Sequence, residues 1–248
     1  MPAKTKPAPN KSIPKSARPA VEDQVESALA WFEQHASKRI RDEMKTRYGI
    51  TASKAYGVSM ANIQLLSKQL GPRHELAAAL WETGWYEART LAAFVEEPER
   101  VTQTQMDYWC RDFDNWAICD TVCFKLFDRT PHAWRKVTQW SNKPDELVKR
   151  AAFALLASLA LHVKGGPEEP FLESLSLIER ASDDDRNFVK KAVSWALRAI
   201  GTRSRTLHEA ALTLAQQLAA APSGSARWIG KDALKALTKP ALIQKLTK

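Results

Sequence analysis

The sequence predicts an all-α protein assembled from stacked helical hairpins. Three observations carry this. From Val21 onward apolar residues recur at spacings of three and four. The breaks between these stretches are brief Gly, Pro, Asp or Asn punctuation, and no stretch sustains the alternation of a β-strand. Helices are expected at about 21–47, 58–70, 73–82, 85–95, 98–110, 114–128, 131–141, 144–163, 168–180, 184–200, 203–220 and 225–238.

In chain order, several of these have start signals. Pro98, Pro131 and Pro144 sit near first-turn positions, where a missing N–H costs nothing, and Asp114 and Ser182 suit N-caps. The helix expected at 144–163 carries "AAFALLASLALHV", whose apolar face should pack inward. In 184–200 the core stripe is Phe188, Val189, Ala192, Val193, Ala196, Ala199 and Ile200. Taken in pairs, the middle helices repeat at roughly 30–40 residues, as in an α-solenoid of HEAT-like hairpin repeats with one concave face. No consensus recurs from unit to unit, so a globular bundle of the same helices remains the alternative.

Composition narrows the class. At 248 residues, 44% hydrophobic and 26% charged, the chain is ordinarily globular, yet it has as many Trp (nine) as Gly. No apolar run reaches the ~18–20 residues that span a bilayer, and the N-terminus lacks a signal-peptide core. A cytoplasmic or nucleoid location is therefore expected. Cys110, Cys119 and Cys123 are odd in number and close together, which points to reduced thiols. The net charge of +9 favours a polyanion as partner, nucleic acid before an anionic membrane surface. Residues 1–20 hold Lys4, Lys6, Lys11, Lys15 and Arg18, five prolines and no acid; they read as a disordered basic tail ahead of one domain at 21–248.

One residue is out of place. Asp120 lies in "DNWAICDTVCF" among Ile118, Cys119, Val122 and Cys123. A carboxylate there costs several kcal/mol to desolvate unless it is paired. It could cap a neighbouring helix or pair with an Arg. Alternatively, with Trp116 one turn earlier on the same side, it could be presented to a cationic ligand. Trp195 lies at the edge of its core stripe, in one row with Lys191 and Arg198, a combination suited to a phosphate and a flat base together. Core packing with snorkelling cations explains the row equally well. Lys149 and Arg150 begin another basic line, as a phosphate clamp or as plain surface charge.

Other motifs are incomplete. Cys119 and Cys123 share a helix face, but nothing completes a tetrahedral metal set. "HELAAALW" lacks the second His of a zinc-protease helix, so His74 and Glu75 read as an exposed helix start. His132 and His162 show no partner in the sequence. There is no Gly-rich phosphate loop and no nucleophile elbow. No cofactor is expected.

The run "YGVSMANIQLLSKQLG…HELAAALWETGWYEARTLAAFVEEPERVTQTQMDYWCRDFDNWAICD", then "FVKKAVSWALRAIG" and "KDALKAL", resembles the AlkD-like DNA alkylation repair family. The resemblance covers roughly residues 25–238. It implies HEAT-like repeats whose concave basic face holds double-stranded DNA. It also implies a site made of a Trp and an Asp one turn apart and a second Trp on a later helix, here Trp116, Asp120 and Trp195. The family's basic positions fall on Arg150 and Arg198. Near Arg150 this chain departs from the family's pattern, having Leu147 and Val148 where an aromatic often stands.

The implied activity is that of a monofunctional glycosylase removing cationic N3- or N7-alkylated purines from duplex DNA, as a monomer. Its chemistry suits these residue types. Such a purine is already a good leaving group, so the site needs an anion beside the sugar cation and aromatic faces beside the lesion, each worth about 0.5–2 kcal/mol. No Lys stands out as a Schiff-base nucleophile. A non-catalytic repeat protein binding bent or branched DNA is the first alternative, and a protein–protein scaffold the second.

Overall fold

The structure, a computed structural model, describes residues 20–246. The basic-tail reading falls, except for Ala20, outside the described residues. Those residues form fourteen α-helices and no strand. They are α1 (Val21–Gln34), α2 (Lys38–Thr46), α3 (Met60–Leu70), α4 (His74–Glu82), α5 (Tyr86–Val95), α6 (Gln103–Arg111) and α7 (Trp116–Lys125). After a 3-10 turn at Phe127–Arg129 come α8 (Ala133–Ser141), α9 (Glu146–His162), α10 (Glu169–Ala181), α11 (Asn187–Ile200), α12 (Arg205–Ala220), α13 (Gly224–Leu237) and α14 (Pro240–Leu246).

Packing follows the hairpin order. Helices α3, α5, α7, α9, α11 and α13 touch in succession and make one layer. Against it lie α4, α8, α10 and α12, each paired with the helix that follows it. Contacts between stack neighbours in two layers are those of an α-solenoid, not of a globular bundle. The layer that begins with α3 carries the cleft described below and is called the inner layer.

The middle of the inner layer is α9. From Ala151 to Ala160 every residue is buried, and five of them are Ala, so α7 and α11 approach it closely on both sides. Cys119 and Cys123 serve the same close approach, their thiols pointing at the α9 carbonyls of Leu147 and Ala151 (3.8 and 3.6 Å). Much of the Trp content is structural. Trp81 and Trp109, both buried, stack between α4 and α6 at 4.1 Å and 2°, and Trp81 donates its indole N–H to Asp112. Such a pair adds about 0.5–1.5 kcal/mol to the burial of its rings.

Several boundaries differ from expectation for identifiable reasons. The helix expected at 21–47 is two helices. His35 closes α1 by bonding and stacking on Trp31, and the Ser37 hydroxyl accepts the Ile40 N–H to open α2. Pro98 precedes a turn, and α6 starts only where the Thr102 hydroxyl caps Gln105 (3.1 Å). Asn115, not Asp114, caps α7, its side-chain oxygen accepting from Ala117 and Ile118 at 3.0 Å. Ser182 closes α10 through Glu179 O rather than opening α11. Helix α14 was not expected.

The link before α3 is held by a buried carboxylate. Glu87 on α5, fully buried, accepts the N–H groups of Tyr56, Gly57 and Val58 at 3.0, 2.7 and 3.2 Å. Gly57 has φ +84°, and a Cβ there would sit 2.3 Å from Ser37 O. Glycine is required because α2 crosses directly over it.

Candidate functional site

The N-terminal ends of α7, α9 and α11 lie side by side, and with the turn after α2 they enclose a cleft of about 500 Å³. Trp116, Arg150, Phe188 and Lys191 line it from the helices, and Arg47, Tyr48 and Gly49 form the opposite wall. The Asn115 cap fixes Trp116 at the first position of α7. Its indole N–H donates to Tyr48 O at 3.1 Å, so the two walls meet through this side chain.

Arg150 ties the helices together. Its Nε and Nη2 donate to Asp120 Oδ1 and Oδ2 at 2.9 and 2.7 Å, and its Nη1 donates to Phe188 O at 2.8 Å. The guanidinium also lies 5.8 Å from the Trp116 ring centroid and 5.9 Å from that of Phe188. One α9 side chain thus spans α7 and α11. The Arg150 side chain is 7% exposed and that of Asp120 18%. Burial pushes the Asp120 carboxyl up from its ordinary range, and Arg150 pulls it back without cancelling the effect. Burial works against the Arg150 charge too, but Asp120 outweighs it and the guanidinium is held more firmly protonated. Both Asp120 oxygens accept from a guanidinium that stays cationic, a geometry that favours the carboxylate form against the burial.

This corrects two expectations. Asp120 has a fixed cationic partner, as in the Arg-paired reading left open above, rather than only a transient one. Arg150 is neither a surface charge nor a free phosphate clamp. Arg150 lines the cleft, and the Asp120 carboxylate, still 18% exposed, stands directly against it.

The other expected residues divide. Lys191 is exposed, lines the cleft, and has no ion-pair partner among the described residues. Lys149 is engaged by Asp184 at 3.1 Å, which also holds Arg186. Hydrogen bonds from Arg186 and then Lys149 lower the Asp184 carboxyl to about 2. Arg198 is paired with Asp232 on α13 at 3.3 Å but remains 37% exposed. Trp195 is not among the cleft residues; it stacks on Phe124 of α7 at 4.9 Å and 11°. His162 does have partners: its Nδ1 bonds Asp128 at 2.5 Å, and its ring meets the edge of Phe124. His74 is likewise engaged, by the buried Glu96.

Sequence reasoning missed the Arg47–Gly49 wall and the roles of Phe124 and Phe188. Phe188 fits the spacing of the core stripe, yet it is half-buried and faces the cleft.

The fold and cleft define a class: a helical-repeat solenoid with an aromatic, cation-lined cleft on its inner layer. The sequence matches the family model of the DNA alkylation repair enzymes over residues 28–237, and the chain belongs to that family. A solved structure described as a new family of proteins related to the HEAT-like repeat DNA glycosylases, with affinity for branched DNA structures, superposes with a TM-score of 0.70. It is 20% identical over 78% of this chain and 82% of that one. A designed armadillo repeat protein in complex with a (KR)4 peptide gives 0.38 at 14% identity, over 87% and 85%. No curated protein matches the sequence. Among the described residues, no helix is long and apolar enough to cross a membrane.

Proposed function

We propose that the protein is a monofunctional DNA glycosylase that hydrolyses the N-glycosidic bond of cationic N3- or N7-alkylpurines in double-stranded DNA. The observation that carries this reading is the Asp120–Arg150 pair beside Trp116 at the cleft. Each Asp120 oxygen accepts one Arg150 hydrogen and keeps a further acceptor site. Arg150 therefore aims the carboxylate and favours its ionised form without exhausting it. When the C1′–N bond breaks, its electron pair leaves with the purine, which departs neutral, and positive charge develops on the sugar. Asp120 stabilises that charge and orients a water whose oxygen bonds to C1′ and whose proton is released. The face of Trp116 favours the cationic lesion. Lys191 holds a flanking phosphate, and Arg198 supports it from the same helix.

A second reading, a non-catalytic binder of bent or branched DNA, has one observation in its favour: Arg150 already neutralises Asp120. The affinity described for the structural neighbour fits it as well. Incubation with methylated duplex DNA separates the two. Release of free 7-methylguanine or 3-methyladenine above the protein-free rate supports excision. Binding without release supports the second reading and refutes the first.

A further inference from the structure

Beyond the cleft, the inner layer continues to α13, and there it carries the exposed indole of Trp228, 39% accessible. Lys190 of α11 places its Nζ 5.3 Å from the Trp228 ring centroid. On α13, Lys231 follows three residues later and Lys235 seven, both exposed. None of these three lysines has an ion-pair partner among the described residues. The one acid nearby on α13, Asp232, is taken up by Ser194 (2.6 Å) and Arg198 (3.3 Å). Lys231 and Lys235 therefore flank the indole with no acid of α13 left to offset them, while the Asp183–Asp185 turn, reached by Ser225 through Asp184 O, lies at the start of that helix.

The patch adjoins the candidate site. Lys190 is the chain neighbour of Lys191, which lines the cleft, and α11 and α13 pack directly against each other. It also repeats in exposed form the aromatic-and-cation pattern of Lys191, Trp195 and Arg198, whose indole is occupied by Phe124. Among the described residues Trp228 has no aromatic ring partner, and Lys190 lies against its ring.

We propose that Trp228 is a stacking platform for an unpaired nucleobase next to the duplex, with Lys190, Lys231 and Lys235 holding the phosphates on either side. The proposal rests on the DNA-binding part of the reading above. Its specificity for an unpaired base follows from geometry. Within a duplex both faces of each base are already covered and only the end pairs show one, whereas an unpaired base offers a free face on which an indole can stack whatever the sequence. The ammonium of Lys190 against the ring reinforces the sandwich.

The test uses the full chain, a blunt duplex, and the same duplex with a short oligothymidine overhang on its 3′ or 5′ end. Binding is followed by fluorescence anisotropy of the labelled DNA. The wild type is expected to bind one overhang form more tightly than the blunt form. Trp228→Ala should lose that increment, about 5–150-fold, while keeping blunt-duplex affinity and base release. Trp228→Phe should keep it. The proposal is overturned if the wild type shows no preference, if Trp228→Ala retains it, or if Trp228→Ala weakens both forms equally. Failure of the wild type to bind either DNA would overturn the DNA-binding reading itself, and this proposal with it.

Discussion

Replacing Asp120 by Asn removes one charge from a pair whose geometry is known. The two charge-assisted bonds, 2.9 and 2.7 Å, join side chains that are 18% and 7% exposed. The Asn oxygen keeps one bond, but its NH2 then faces a guanidinium N–H, donor against donor. Deleting one member of a buried pair costs about 3–5 kcal/mol, and the bond retained puts this case near the low end. For a chain of this size about 3 kcal/mol lowers the melting temperature by roughly 6–12 °C. Circular dichroism melts measure that shift. Below both transitions, excision of 7-methylguanine per folded molecule should still fall by about 10²–10³, the scale of losing one well-placed electrostatic group. An unchanged melting temperature would refute the energetic argument. A near-wild-type excision rate in the folded variant would refute the catalytic one. The double variant Asp120→Asn/Arg150→Met separates the two roles: it should recover stability, because no buried charge is left unpaired, and recover no excision.

Further expectations follow from other residues. Lys191→Ala should weaken binding to every duplex sequence and reduce the salt slope by about one, read from titrations at several salt concentrations. Asp184→Asn should be less stable than wild type above the unfolded Asp value of about 3.9. Because the folded carboxyl titrates at about 2, that difference should disappear as pH falls through 2. Gly57→Ala should cost about 1–3 kcal/mol, since its φ of +84° and the Ser37 carbonyl both oppose a Cβ. In contrast Gly49→Ala, with nothing within 4 Å of its Cβ, should cost less in the same thermal melts.

How much of this was legible in the sequence depends on range. Helix-forming periodicity is local, and the twelve expected segments correspond to real helices. Capping was less legible. Asn115 and Asp114 are adjacent and chemically similar, and which one caps depends on backbone geometry that composition does not encode. Trp116 and Asp120 could be paired because one helical turn fixes their spacing. The Asp120–Arg150 bond could not be singled out, since it joins residues 30 apart in sequence on different helices. The Tyr48 wall was least visible. It reaches Trp116 across 68 residues, through a backbone carbonyl that every residue type possesses.

The two sides of the cleft are built from different materials. Helices α7, α9 and α11 belong to the main apolar core and are locked by Arg150, so they move together. The turn after α2 rests instead on a satellite cluster of Met44, Ile50 and Ala117, on the Trp116–Tyr48 bond, on the bonds from Gly49 N and Ile50 N back to α2 and from Tyr86 N to Lys54 O, and further along the link on the Glu87 clamp. Hydrogen bonds of this kind are worth only about 0.5–1.5 kcal/mol net, because water can replace either partner. The cleft thus has a fixed jaw and a compliant one. If the cleft takes DNA as proposed, residues 47–49 are the part expected to shift on binding, while the carboxylate and its guanidinium stay in register.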